Sequence, residues 1–295
     1  MTSNIDPADS EKPLPPDELQ YRVSGVREGE ATFRQSGRIS ASEIEAALAS
    51  WERPLDSFDR ILDFGCGCGR IAMWLEGLAA RSELYGTDID ADALEWASAN
   101  FPYARFERNG QFPPLPFPDA HFDLVFSSSV FTHIDEHAQD LWLAELRRVT
   151  RPGGYLLLSV HGERAFRHAE AAARGQGQDT TGWEPALAKR GILFVEDDNW
   201  VGGPFPDWYH TTFHAPWYVF SHWGRDLLIR AFIPRRSLDY QDYVLLEVPG
   251  GETPLTEPVA PPVAELSARL NLIERSRSWR LARWISGLGR PLRRR

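Results

Sequence analysis

The chain has 295 residues, a formal charge of −10, 42% hydrophobic and 25% charged residues, fractions ordinary for a soluble globular protein. No run of about 18 apolar residues occurs, so no spanning helix is expected. The acidic, proline-rich start, MTSNIDPADSEKPLPPDE, predicts no secretory signal. Cys66 and Cys68, the two cysteines, cannot make a disulfide framework, which predicts a reducing, cytoplasmic setting. Charge is uneven: Lys12 and Lys189 are the sole lysines, and nine arginines fall in residues 264–295 against Glu265 and Glu274. That tail carries about +7 and the rest about −17, and an acidic body argues against nucleic acid as the main partner.

Residues 1–18 read as disordered, with four prolines and few apolar positions. Tyr21 to Trp51 reads as helical. From there strands and helices alternate. Strands are expected at Arg60–Phe64, Glu83–Thr87, Ala104–Arg108, Phe122–Ser127 and Tyr155–Val160, with helices at Ile71–Ala80, Asp92–Asn100 and Ala138–Thr150. The alternation implies an α/β fold with a mainly parallel sheet covered on both faces. Glu163–Arg174 is a further helix and Gly175–Gly182 a loop, followed by an aromatic-rich stretch, Gly191–Phe220. Leu227–Ile233 and Tyr243–Val248 are the last strands, and the short Pro234–Asp242 connection implies that they pair antiparallel. Residues 249–263 read as a proline-rich linker.

The stretch Ile61-Leu62-Asp63-Phe64-Gly65-Cys66-Gly67-Cys68-Gly69-Arg70 runs a hydrophobic strand into a glycine-dense turn. Glycines there permit positive φ and close approach of a ligand to the backbone. The spacing is G-x-G-x-G, and Arg70 stands where the dinucleotide fingerprint wants a third small residue, which disfavours a nicotinamide oxidoreductase. Asp88 closes the second strand 19 residues after Gly69, where a carboxylate accepts from both hydroxyls of a ribose. Zinc needs four ligands and no second cysteine cluster exists, so Cys66 and Cys68 are small spacers and no metal is expected.

These residues resemble motifs I and II of the class I S-adenosylmethionine (SAM) methyltransferases. The resemblance extends through Arg108-Asn109-Gly110, Leu115-Pro116-Phe117-Pro118-Asp119 to Val125, and Arg148-Val149-Thr150-Arg151-Pro152-Gly153-Gly154. It implies a Rossmann-like seven-stranded, mainly parallel sheet with an antiparallel last strand, flanked here by a helical N-terminal segment and a basic C-terminal tail helix. It places the methyltransferase domain at 19–248, with 162–223 as an acceptor-side insertion. The resemblance also implies that Asp63, Gly65, Cys66 and Gly67 border the methionine part of SAM. Asp88 would take the ribose, Ile89, Asn109 and Gly110 the adenine, and Ser127 and Ser128 the site beyond the fourth strand.

Oxygen acceptors of high pKa need a base or a metal. His133, just beyond the fourth strand, suits a general base, with His210 and His214 behind it, and packing is the competing reading for all three. His210-x-x-x-His214 lacks the glutamate of a zinc-protease pattern. Ser127-Ser128-Ser129-Val130 replaces the D/N/S-P-P-Y/F motif of amino-methylating DNA enzymes. Aromatics with Asp, His and Thr around Asp207–His214 suit a sugar, and covering of the sheet is the alternative. Tyr21, Arg22, Phe33 and Arg34 are expected as a lid, with Arg34 on the SAM carboxylate.

The tail, 264–295, has apolar residues at mostly helical spacing with arginines between, which reads as a peripheral membrane or partner contact, or as a helix packed on its own domain. Ser276-Arg277-Ser278-Trp279-Arg280-Leu281 followed by Pro291-Leu292-Arg293 is similar to tails of bacterial cell-surface polysaccharide assembly proteins. The expectation is a cytoplasmic SAM-dependent O-methyltransferase acting on a glycan or polar small molecule. A small-molecule N- or carboxyl-methyltransferase and a non-catalytic scaffold of glycan assembly are the alternatives.

Overall fold

The computed structural model describes residues 12–25, 27, 29–196 and 205–250. Two helices lead in, α1 (Asp17–Ser24) and α2 (Glu30–Ala49). Five strands then alternate with covering segments: β1 (Arg60–Phe64), β2 (Glu83–Asp88), β3 (Ala104–Arg108), β4 (Phe122–Ser127) and β5 (Thr150–Val160). α3 (Ala91–Asn100) follows β2 and α4 (Glu136–Val149) follows β4. α5 (Glu163–Gly175) and α6 (Trp183–Arg190) precede a small hairpin, β6 (Ile192–Val195) and β7 (Thr211–His214). α7 (Pro216–His222) then leads to β8 (Leu228–Ser237) and β9 (Gln241–Glu247).

The main sheet has seven strands in the order β3-β2-β1-β4-β5-β9-β8. β1 to β5 pair in parallel, and β9 lies antiparallel to both β5 and β8. This is the Rossmann-like, mainly parallel sheet with an antiparallel last strand that the alternating pattern and the resemblance imply. β4 is buried along its whole length, because a central parallel strand is covered on both faces and reads as a continuous apolar run. Apolar clusters lie on either face, one around Leu62, Val125, Leu146, Leu156 and Leu246, the other around Ile44, Leu48, Ile61, Leu124 and Leu157.

Several segments differ from expectation. Ile71–Ala80 holds only two single 3-10 turns, Ala72–Trp74 and Glu76–Leu78. Gly77 in its middle weakens an α-helix by about 1 kcal/mol, and Trp74, Leu75 and Leu78 donate three residues back. α1 begins at Asp17, inside the stretch read as disordered, and buries Leu19 and Gln20. Residues 1–11 lie outside the described residues. The aromatic stretch 191–220 contains β6, β7 and most of α7. β8 runs past Pro234 to Ser237 with a register shift, which an edge strand tolerates because proline there leaves no ladder bond unmade. The linker after Gly250 and the tail 264–295 lie outside the described residues.

A half-buried ion pair ties α4 to the segment before β4. Glu145, 7% exposed at its side chain, accepts from the Leu115 backbone N–H at 2.6 Å and from Arg148, which also reaches Asp119 and the Phe117 carbonyl. Hydrogen bonds from Arg148 hold the Glu145 carboxyl below its ordinary range. Truncation leaves the buried Leu115 amide without its acceptor, while Arg148, 31% exposed at its side chain, keeps Asp119 and the Phe117 carbonyl, so Glu145→Ala should cost about 1–2 kcal/mol in urea unfolding. A change under about 0.5 kcal/mol would show that the pair behaves like an exposed one.

No helix among the described residues is long and apolar enough to cross a membrane.

Candidate functional site

The strand order grows outward from β1 in one direction and from β4 in the other, so the carboxyl ends of β1 and β4 flank a crevice where α/β sheets bind ligands. A cavity opens there. Of the expected cofactor residues, Asp63, Gly65, Cys66, Gly67, Asp88, Ile89, Asn109, Gly110 and Ser128 line it. Ser127 does not: its hydroxyl turns into the sheet and donates to the Phe64 carbonyl at 2.8 Å, tying β4 to β1. Strand alternation sends Ser127 inward and leaves Ser128 at the opening, and Ser129, beyond the strand end with φ +67°, lines it as well.

The turn after β1 needs its glycines. Gly65 has φ +80°, and a Cβ there would sit 2.2 Å from Val130 Cγ2. Gly67 has φ +53°, and a Cβ there would meet Val23 Cγ2 at 2.5 Å. Gly65→Ala combines a left-handed penalty of about 1–2 kcal/mol with displacement of Val130. It should lower both the melting temperature and the affinity for S-adenosylhomocysteine (SAH), read by thermal shift with and without ligand. An unchanged affinity would show that the turn does not shape the cavity.

Asp88 is held by the turn it faces. Its Oδ2 accepts from Gly67 N–H at 2.7 Å and its Oδ1 from Asp90 N–H at 2.9 Å. Burial raises its pKa against those two bonds. Each oxygen keeps a second lone pair, so two hydroxyls of a ribose can still be accepted. Asp63 is 4% exposed, and its Oδ2 has no hydrogen-bond partner. Burial pushes its pKa up to about 8, opposed by the positive charge of Arg70. A buried carboxylate oxygen without a donor is a costly arrangement that an incoming ammonium would relieve. Asn109 donates its backbone N–H to the Asp88 carbonyl at 3.0 Å, while its side-chain Oδ1 is buried without a partner. An ammonium, a ribose diol and an exocyclic amine would thus meet acceptors in the order in which SAM presents them.

Cys66 Sγ lies where Gly86 of β2 leaves room, 2.8 Å from that glycine's absent Cβ, and Cys68 packs beneath α1 against the Leu19 carbonyl. Burial pushes the Cys66 thiol far up and Cys68 to about 12. Both are neutral packing residues. Among the described residues no cluster of His, Cys, Asp or Glu is grouped to hold a metal ion.

The N-terminal contribution comes from α1 instead of the expected α2 arginine. Arg22 and Val23 line the cavity, and Arg22 bridges the Asp90 carboxylate at 3.0 and 3.2 Å and Asp92 at 3.2 Å. Arg34 does not line it. Its guanidinium donates to the Lys12 carbonyl, and Phe33 is buried in the core below. Tyr21 meets Phe205 edge-on at 6.0 Å, which brings α1 to the segment before β7.

That segment closes the open side. Phe205, Pro206, Trp208 and Tyr209 line the cavity. Phe205 stacks on Tyr209 at 5.1 Å, and Tyr209 stacks on the His133 imidazole at 4.1 Å. Backbone bonds fix the insertion to the turn beyond β4, His210 N–H to the His133 carbonyl and Thr212 N–H to the Thr132 carbonyl, and to the end of β5, His214 N–H to the His161 carbonyl.

The three histidines have different places. His133 donates from Nδ1 to the His210 carbonyl at 2.8 Å. A carbonyl only accepts, so that nitrogen carries the proton and Nε2 keeps its lone pair. Nε2 lies 3.4 Å from Ser129 Oγ, and burial lowers the pKa of His133 to about 4. His210 enters this set through its backbone, and its ring meets Phe194 edge-on at 5.5 Å. His214 is 1% exposed, pairs with Gln139 Oε1 at 2.9 Å, and burial lowers its pKa to about 3. Neither His210 nor His214 lines the cavity: both rings are buried, one just before β7 and the other at its end. Ser129 was not expected at the site, and Tyr209 was expected only within the aromatic stretch Asp207–His214, not stacked on His133. Neither the left-handed φ of Ser129 nor the contact of Tyr209 with a residue 76 positions earlier has a local sequence signal.

Residues 62–158 match the family model described as a methyltransferase domain. A fatty-acid O-methyltransferase of Mycolicibacterium smegmatis is 32% identical over 133 residues, covering 44% of this chain and 42% of that protein. A protein of the same organism described as "Probable S-adenosylmethionine-dependent methyltransferase" is 35% identical over 100 residues, covering 34% and 37%. The chain spans less than half the length of these curated relatives. A solved protein of Pyrococcus horikoshii shares the fold, with a TM-score of 0.50 at 17% identity over 72% of this chain and 90% of that one. The stretch that matches the methyltransferase-domain model, 62–158, carries Asp63, Asp88 and Asn109 of the cavity.

Proposed function

We propose that the protein is an SAM-dependent O-methyltransferase whose acceptor is a hydroxyl of a sugar or similarly polar small molecule. The observation that carries this reading is the partnerless buried Asp63 Oδ2 beside the doubly anchored Asp88, an acceptor pair spaced along one cavity. SAM supplies an electrophilic methyl group, and the protein's part is to hold an oxygen in line with it and take away the proton. The aromatic wall of Phe205, Trp208 and Tyr209 supports an acceptor with an apolar face. The resemblance of residues 276–293 to tails of polysaccharide assembly proteins favours a glycan or its precursor. Residues 264–295 would then bring the enzyme to an anionic membrane surface. Sedimentation of the full chain with anionic vesicles, reversed by salt, supports that contact, and equal sedimentation with neutral vesicles removes it.

One observation favours a second reading. The fatty-acid O-methyltransferase to which the chain is similar takes, by its name, a carboxylic acceptor. A carboxylate is already a nucleophile at neutral pH and needs no base. Methyl transfer from tritiated SAM to a set of methyl glycosides and, in parallel, to medium-chain fatty acids separates the two. Label in an ether product supports the hydroxyl reading, label only in an ester replaces it with the carboxyl reading, and SAH binding without any transfer favours the scaffold.

A further inference from the structure

The residue between the cavity and His133 is Ser129, and its environment is unusual. It follows β4 with φ +67°, a conformation that costs a non-glycine residue on the order of 1 kcal/mol or more. The strain turns its hydroxyl toward three polar groups. Gln241 Nε2, at the start of β9, donates to Ser129 Oγ at 2.9 Å. Thr132 Oγ1 lies at 3.2 Å and His133 Nε2 at 3.4 Å. The Ser129 backbone N–H is fixed in turn by Ser159 Oγ of β5 at 2.7 Å. Four residues, from the turn beyond β4, β5 and β9, therefore place one hydroxyl at the cavity wall, which Ser129 lines and His133 does not.

A serine hydroxyl has one proton and two lone pairs. Gln241 occupies one lone pair, because an amide N–H can only donate. The proton can go to the unprotonated Nε2 of His133, since Nδ1 is committed to the His210 carbonyl. The second lone pair faces the Thr132 hydroxyl at 3.2 Å, and a donor in the cavity takes that place when the Thr132 hydroxyl rotates away. We propose that Ser129 is a catalytic residue, accepting the hydroxyl proton of the methyl acceptor while handing its own proton to His133 Nε2, with Gln241 as the positioning residue. This rests on the hydroxyl-acceptor reading above.

The step balances. The acceptor oxygen forms a bond to the methyl carbon as the carbon–sulfur bond of SAM breaks, its proton passes to Ser129 Oγ, and the Ser129 proton passes to Nε2. The products are a methyl ether, neutral SAH and an imidazolium on His133. Among the described residues, the groups facing that imidazolium include the Ser129 hydroxyl, the Tyr209 ring, stacked at 4.1 Å, the His161 ring at 5.7 Å and the His210 carbonyl. A buried imidazole is too weak a base to deprotonate an alcohol beforehand. Proton transfer must accompany methyl transfer, when the acceptor oxygen becomes positive and strongly acidic.

The test uses two small, size-matched probes at molar concentration with tritiated SAM. Ethanediol must lose a proton on methylation and acetate need not. Ser129→Ala should lower transfer to ethanediol by about 100-fold or more and transfer to acetate by less than about threefold, with SAH affinity near that of wild type. Gln241→Leu should show a smaller loss in the same direction. Side-chain ¹⁵N spectra give a reading independent of turnover: with SAH bound, Ser129→Ala should shift Nε2 of His133 and leave Nδ1 in place. Equal loss on both probes would mark Ser129 as structural, and no loss on ethanediol would overturn the relay outright. Transfer to neither probe with SAH bound would overturn the oxygen-acceptor reading, and absence of SAH binding to wild type would overturn the donor site.

Discussion

Asp88→Ala is expected to weaken SAH binding by about 100-fold or more, since it removes two charge-assisted bonds to the ribose diol at about 1.5–3 kcal/mol each. The carboxylate is already aimed: Gly67 N–H holds Oδ2 and Asp90 N–H holds Oδ1, so no side-chain entropy remains to be lost on binding. The same two bonds mean that the variant leaves two amides without their partner. A modest fall in ligand-free stability, about 2 kcal/mol, should accompany the binding loss. Circular dichroism and urea unfolding separate the two effects. A folded variant that no longer gains melting temperature on adding SAH is the expected result. A folded variant that binds SAH within about threefold of wild type, well under the energy of one such bond, would remove Asp88 from the site.

Asp63→Asn should produce three linked changes. Burial holds the Asp63 carboxyl up at about 8, with the charge of Asp88 pushing the same way and Arg70 pulling it down, so most of it is protonated at pH 7 before ligand arrives. An ammonium placed against Oδ2 requires the ionised form, and binding therefore releases a proton. Titration of SAH in phosphate and in Tris should give enthalpies that differ by that proton's buffer heat for wild type and agree for Asp63→Asn. Affinity should fall by about 30-fold, the worth of a buried charge-assisted bond. The third change is in stability. The folded-state pKa lies above the unfolded value of about 3.9, so the folded protein holds a proton that the unfolded chain lacks between those two values. Stability then falls as pH rises through that window and levels off above about 8. Asparagine has no such dependence. The ligand-free variant should match wild type near pH 4 and be the more stable of the two at pH 8, measured by urea unfolding at both. The opposite order at pH 8 would mean that Asp63 is ionised and well paired in the absence of ligand.

The sheet and the donor side were legible because their signals are local. A glycine turn straight after an apolar strand and a carboxylate at the next strand tip are short-range patterns, and helix–strand alternation sets the order of β1 to β5. The misplacements are of two kinds. Ser127 and Ser128 differ by one position, and a one-residue step at a strand end exchanges the inside for the opening. Arg34 and Arg22 are both arginines on N-terminal helices, and which one faces the cavity depends on how α1 packs, with Val23 over Gly67 and Arg22 on Asp90, a contact between residues 68 positions apart. The acceptor side was least legible. Thr211–His214 shows no clean alternation of polar and apolar residues, so β7 does not look like a strand, yet its hydrogen bonds to Thr132 and His133 bring Tyr209 over the imidazole. Ser129 gives no sign of its left-handed backbone, nor of the partners that two other strands bring to it, Ser159 to its N–H and Gln241 to its hydroxyl.

The most direct test of the donor site is a crystal structure of the full chain with SAH bound. The account predicts the amino nitrogen within hydrogen-bond distance of Asp63 Oδ2, the ribose hydroxyls on Asp88 and the adenine edge at Asn109, with the sulfur directed toward Ser129. SAH bound with its ribose away from Asp88, or with Asp63 Oδ2 still lacking a donor, would contradict it.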